Sequence, residues 1–215
     1  MFEPATATVW AFNGRSKNVT VIDTKSNKVV ATIALPGKPE FPVADGLGNV
    51  YDNIEDTSQI VHLDAKTLKL VGTWPVSPCE SPSGLAIDKE HRRLFAVCDG
   101  KKMAVVNADT GKVIATPAIG DGPDAAGFDD KNQLAFSSNG DGTLTVIHED
   151  TPDTYSVVQN VPTQRGARTM TIDPSNGRVY MVTAQMGPRP AATRENPRPR
   201  PTMVPDSFTV LVVGR

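Results

Sequence analysis

Aromatic residues make up only 6% of this 215-residue chain, which also holds just two cysteines and three histidines. So few cysteines exclude a disulfide-dense scaffold. The histidines, His62, His91 and His148, stand in no H-x-H or H-E-x-x-H spacing, so no metal site is expected from the sequence. No apolar run approaches the roughly 18 residues that a membrane-spanning helix needs. Neither sign of charge dominates, with 22 Lys and Arg against 24 Asp and Glu and a net charge of -2. There is thus no basic field to neutralise phosphates, and the aromatic platforms used by single-strand binders are scarce, so nucleic acid is not an expected partner. A G-x-S-x-G elbow is missing, no Cys–His pair is suggested, and no cofactor motif is read. The opening stretch MFEPATATVWAFNG lacks both a basic n-region and an apolar h-region, so it is not read as a secretory signal.

What the sequence does contain is repetition. VTVIDTKSNKVVATI, beginning at Val19, recurs as QIVHLDAKTLKLVGTW from Gln59, as MAVVNADTGKVIAT from Met103 and, more loosely, as LTVIHEDTPDTYSVV from Leu144. A second unit alternates with it: PEFPVADGLGNVYDNI from Pro39, PSGLAIDKEHRRLFAVCD from Pro82, PDAAGFDDKNQLAFSSNG from Pro123 and ARTMTIDPSNGRVYMVTA from Ala167. Both hold a period of about 42 residues. Each unit is two β-branched or apolar runs around a polar turn, which predicts a hairpin. Two hairpins per repeat predict four antiparallel strands, termed A to D, and hence an all-β chain built as a β-propeller. About five blades are expected, over residues 8–35, 40–75, 82–117, 123–160 and 167–215. The first is read as lacking strand A and the last as lacking strand D.

VTVIDTKSNKVVATI and VVNADTGKVIAT resemble the YVTN-type repeat of the YncE-like seven-bladed β-propellers, and the likeness runs over nearly the whole chain. Members of that family are generally exported, which implies a periplasmic or extracellular parent. By their standard the chain corresponds to a C-terminal portion of about five blades, without about two N-terminal blades and without the leader. The same architecture hosts sugar lactonases, quinone- and haem-linked oxidoreductases, surface-layer repeats and binding proteins. The expectation is a noncatalytic scaffold that binds a small molecule, a glycan or a protein. The alternative is a lactonase or redox propeller with its site at the central channel mouth. Incomplete end blades would also leave apolar faces free for self-association.

Strand alternation sends the D–A and B–C connections to one face, where propeller ligands usually bind. The D–A connections bring Glu40, Glu80, Asp124, Arg165 and Arg168 to that face, and the B–C connections bring Glu55, Asp56, Asp99, Asn139 and Asp141. These ten residues are the candidate ligand-binding set. The opposite face receives TKSN, KEHR, NADTG and DPSNG, read as ordinary solvated turns. Asn139-Gly140-Asp141-Gly142 has the composition of a calcium loop without its ligand spacing, and a tight turn is the simpler reading. Cys79 and Cys98 lie in the third repeat; they are either a disulfide or two buried thiols. The Pro- and Arg-rich stretch at 185–206 interrupts the last blade between strands B and C as a loop insertion or a basic arm.

Overall fold

The computed structural model describes residues 1–214, and its strands form five antiparallel sheets in chain order. The first holds β1 (Phe2–Glu3), β2 (Thr8–Asn13), β3 (Asn18–Asp23) and β4 (Lys28–Ala34). The second holds β5 (Pro39–Ala44), β6 (Asn49–Ile54), β7 (Gln59–Asp64) and β8 (Lys69–Pro75), with a single 3-10 turn at Glu55–Thr57 between β6 and β7. In the third are β9 (Leu85–Asp88), β10 (Arg93–Cys98), β11 (Lys102–Asn107) and β12 (Val113–Ala115). The fourth comprises β13 (Pro123–Asp129), β14 (Leu134–Asn139), β15 (Thr143–Thr151) and β16 (Thr154–Pro162). The fifth is three-stranded, with β17 (Thr169–Asp173), β18 (Arg178–Thr183) and β19 (Thr209–Val213).

A carboxylate at the end of each A strand makes the hairpins. Glu3 accepts the Ala5 and Thr6 amides at 3.1 and 2.8 Å. Asp45, Asp88, Asp129 and Asp173 do the same for Leu47, Glu90, Lys131 and Ser175. Each side chain thereby replaces a backbone turn bond that would otherwise go to water. Asp23, Asp64 and Asn107 cap the C–D turns in the same way. Glu3 also explains why the first blade differs from the sequence expectation. It does have an A strand, the two-residue β1, in which Phe2 and Glu3 pair with Val9 and Thr8. Two residues show no alternation, so periodicity could not reveal them. Strand D of the third blade is only three residues long, with a register shift opposite Val105 and Val106. The 185–206 stretch does not run free throughout. Gly187 donates to the Thr202 carbonyl and Val204 to that of Gln185, both at 2.8 Å, closing a short stem at its base.

Core residues lie between sheets rather than within them. One apolar cluster joins the first and second blades around Trp10, Val19, Val50 and Leu63, and a second joins the second and third around Tyr51, Leu94 and Val106. Phe95, Met103 and Ile147 join the third to the fourth, and Phe136, Leu144 and Met181 the fourth to the fifth. Each large apolar side chain so buried is worth roughly 1.5–3 kcal/mol, so no blade is stable without its neighbour. From the second blade on, the A strands of successive blades adjoin, which places them innermost, while β5 meets the first blade through β2. Gly84 permits one such approach, because a Cβ there would lie 2.4 Å from the Ala126 amide nitrogen. Cys79 and Cys98 are joined in a disulfide across a Cα–Cα distance of 5.6 Å. The loop after β8 folds back along β10, where the Asp99 amide donates to the Glu80 carbonyl at 2.9 Å.

Candidate functional site

The ten candidate residues do lie at the D–A/B–C end, but they fall into three separate groups. At the junction of the first and second blades, Lys38 pairs with both Glu40 and Glu55. Lys17 pairs with Asp56 at 2.7 Å, and the Lys38 amide donates to the same carboxylate at 2.7 Å. These bonds, that to Lys17 first, hold the Asp56 pKa below the usual carboxylate range. Both lysines escaped the sequence reading, which picked out the carboxylates and overlooked their partners. Glu80 and Asp99 form the second group, brought side by side by their backbone bridge next to the disulfide.

The third group surrounds an open pocket of about 410 Å³ between the fourth and fifth blades, lined by Asp121, Gly122, Gly140, Asp141, Arg165, Gly166 and Arg168. Its floor is backbone. Gly140 donates to the Gly122 carbonyl at 2.8 Å and Gly166 to that of Gly140 at 3.0 Å. A Cβ on Gly140 would meet the Gly122 oxygen at 3.0 Å, so a side chain there would push the two segments apart by a few tenths of an ångström. Asp141 is committed to the scaffold. It accepts the Asp121 amide and the Thr143 hydroxyl, each at 2.7 Å. Although burial pushes its pKa up, these bonds outweigh that and hold it below the ordinary value. Arg168 lies 3.6 Å from Asp124, and its backbone carbonyl is held by the Ser138 hydroxyl. Arg165 and Asp121 are exposed, and neither side chain forms an ion pair among the described residues.

Asn139 departs from its expected role. It is fully buried at the end of β14, with its amide group donating to Thr143 and Thr145 and its carbonyl accepting from Ser137. It positions the turn beneath the pocket and offers nothing to a ligand. Asp52, which the sequence reading passed over, is a second buried polar group, on β6 between the first two blades. Neither carboxylate oxygen has a partner, and burial, with help from Glu40, pushes its pKa up to about 8.

On the opposite face TKSN and DPSNG are exposed turns, as expected, but KEHR is not a merely solvated turn. From the KEHR turn, Arg92 reaches Asp45 at 2.7 Å, the Tyr51 hydroxyl at 2.9 Å and Asp109 at 2.8 Å, tying the second and third blades together. Tyr51 in turn donates to the Ala108 carbonyl at 3.0 Å, and burial raises its pKa to about 12. His91 of the same turn faces Asp88 and, from the fourth blade, Glu149. Asp88 lies three residues from His91, but local spacing could not reveal Asp45, Tyr51 or Glu149, which come from other repeats.

No family model matches the chain, and no curated protein matches it. Among solved structures it is similar to the hydrazine synthase of Kuenenia stuttgartiensis, with a TM-score of 0.73 and 18% identity over 98% of this chain and 60% of that one. It is also similar to U3-55K, with a TM-score of 0.71 and 13% identity over 86% of this chain and 57% of that one. Both are propeller proteins. The fold of this chain is a β-propeller. At these identities the likeness concerns the propeller alone, and the chain spans about 60% of the length of the structures it matches.

Proposed function

We propose that this propeller is a noncatalytic, exported binding scaffold that holds a small acidic sugar or acidic glycan end at its D–A/B–C face, between the fourth and fifth blades. One observation carries the reading: Arg165 is an exposed cation without an ion pair among the described residues, and it opens onto a pocket that Asp121 also lines. A guanidinium takes a carboxylate in two parallel hydrogen bonds. A neighbouring free carboxylate accepts hydroxyl protons, so a sugar acid matches both groups. The committed state of Glu40, Glu55 and Asp56, each engaged by lysine, disfavours a lactonase or redox centre at that junction. The Cys79–Cys98 disulfide supports a periplasmic or extracellular location, where such bonds persist. The YncE-like seven-bladed kinship remains part of this proposal, supported by the repeat motifs.

The test is an amide-resolved NMR titration with glucuronate, with glucose as the neutral control. Glucuronate is expected to shift Gly122, Gly140 and Gly166, and Arg165→Ala to weaken the effect about tenfold or more, as loss of a charge-assisted hydrogen bond does. Equal shifts with glucose, or no change in the variant, would overturn the reading.

A further inference from the structure

On the face opposite that pocket, the structure brings together three side chains that no local motif links. Asp88 ends β9, His91 follows in the A–B turn of the third blade, and Glu149 lies on β15 of the fourth. His91 Nδ1 is 2.7 Å from Asp88 Oδ2 and 3.2 Å from Glu149 Oε1, and one donor atom from each residue falls within 4.8 Å of the other two. Asp88 and Glu149 are 1% and 4% exposed. Two buried carboxylates this close repel each other unless a positive charge lies between them.

A second, independent observation concerns Glu149, whose two carboxylate oxygens are both buried and without a hydrogen-bond partner. The nearest guanidinium does not satisfy them. Arg93 spends its donors on the carbonyls of Pro152, His91 and Arg92 and on Asp153. A carboxylate buried to this degree, with no hydrogen bond and only the His91 imidazole within 4 Å as a counter-charge, is costly, and coordination to a cation is one of the few arrangements that offsets the cost. Asp88, by contrast, is oriented by the Glu90 and His91 amides at 2.9 and 3.3 Å, the outer support that metal-ligating carboxylates commonly have.

We infer that Asp88, His91 and Glu149 form a divalent-cation site of the zinc class that clamps the third blade to the fourth. One imidazole nitrogen with two carboxylate oxygens suits Zn²⁺, which takes three protein ligands and leaves a fourth position to water. Binding releases the proton on His91 Nδ1 to solvent, leaving that nitrogen's lone pair for the metal. Since Glu149 comes from a different blade, loading the site cross-links the two sheets beside the bonds that Arg93 already makes to Pro152 and Asp153. The site is a structural clamp, remote from the pocket of Arg165.

Isothermal titration calorimetry of the untagged, metal-free chain with ZnCl₂ tests this, paired with thermal unfolding. One equivalent of Zn²⁺ is expected to bind, and at about one hundred times the dissociation constant Tm should rise by about 5–10 °C. His91→Ala changes a turn residue whose side chain is 31% exposed; once its circular dichroism is matched to that of the parent, it should weaken binding about tenfold or more. Glu149→Gln keeps the shape and removes the charge, with the same expected loss. His148→Ala, on an exposed histidine paired with Asp150, should change nothing. Absence of saturable binding, unaltered binding in His91→Ala, or loss of binding in His148→Ala would each overturn the inference.

Discussion

Asp52 is the residue at which burial and charge conflict most openly. It sits among Val50, Ile54 and Val61 with no hydrogen-bond partner, and its pKa is lifted from 3.8 to about 8. Between those two values the folded chain keeps a proton that the unfolded chain releases. Stability therefore falls as pH rises from about 4, and levels off above about 8. The full span is worth on the order of 5 kcal/mol. An amide cannot ionise, so the Tm of Asp52→Asn should gain on the parent by several degrees between pH 5 and pH 8. A gap that stays constant across that range would mean that the carboxyl finds a partner in solution.

Close approach of backbone to backbone governs the elements. Strands β9 and β13 run side by side near the axis because Gly84 has no side chain; a Cβ there would strike the Ala126 nitrogen at 2.4 Å and the Ala125 Cα at 2.7 Å. Neither obstacle is a flexible side chain that could swing aside. Gly84→Ala is thus expected to cost about 1–3 kcal/mol, read as a lower urea midpoint. Gly14→Ala is the control, since its nearest neighbours lie 3.7 Å away, an ordinary contact. If both variants unfold at the same urea concentration, the approach at Gly84 is not what limits packing of these blades.

Over the whole molecule, four interfaces join five blades, and no apolar cluster among the described residues joins the fifth blade to the first. The fifth blade instead exposes Val182, Val210 and Val212, the last two at 52% and 54%. Strand β19, which carries the last two, is also a sheet edge with unpaired backbone groups. Edges and apolar faces of this kind recruit another chain. The 215-residue chain is expected to self-associate, with a mass above that of one chain in light scattering after size exclusion. Val210→Lys with Val212→Lys should return it to a monomer. A parent chain already monomeric at high concentration would contradict this expectation.

The all-β class and the four-stranded repeat were legible in the sequence because hairpin formation is local: alternation, turn residues and a capping carboxylate all lie within a few positions of one another. Even the face on which Arg165, Arg168 and Asp141 would meet followed from strand parity. Parity could not say which side chains would remain free. Lys38 neutralises Glu40 and Glu55, and Asn139 turns inward, only because particular residues of neighbouring segments come within reach. Tertiary packing alone decided that Arg92 would tie two blades together and that Glu149 would arrive beside Asp88 and His91. Those partners lie in different repeats, and a charge carries no periodic signal of the charge it will face across a blade interface.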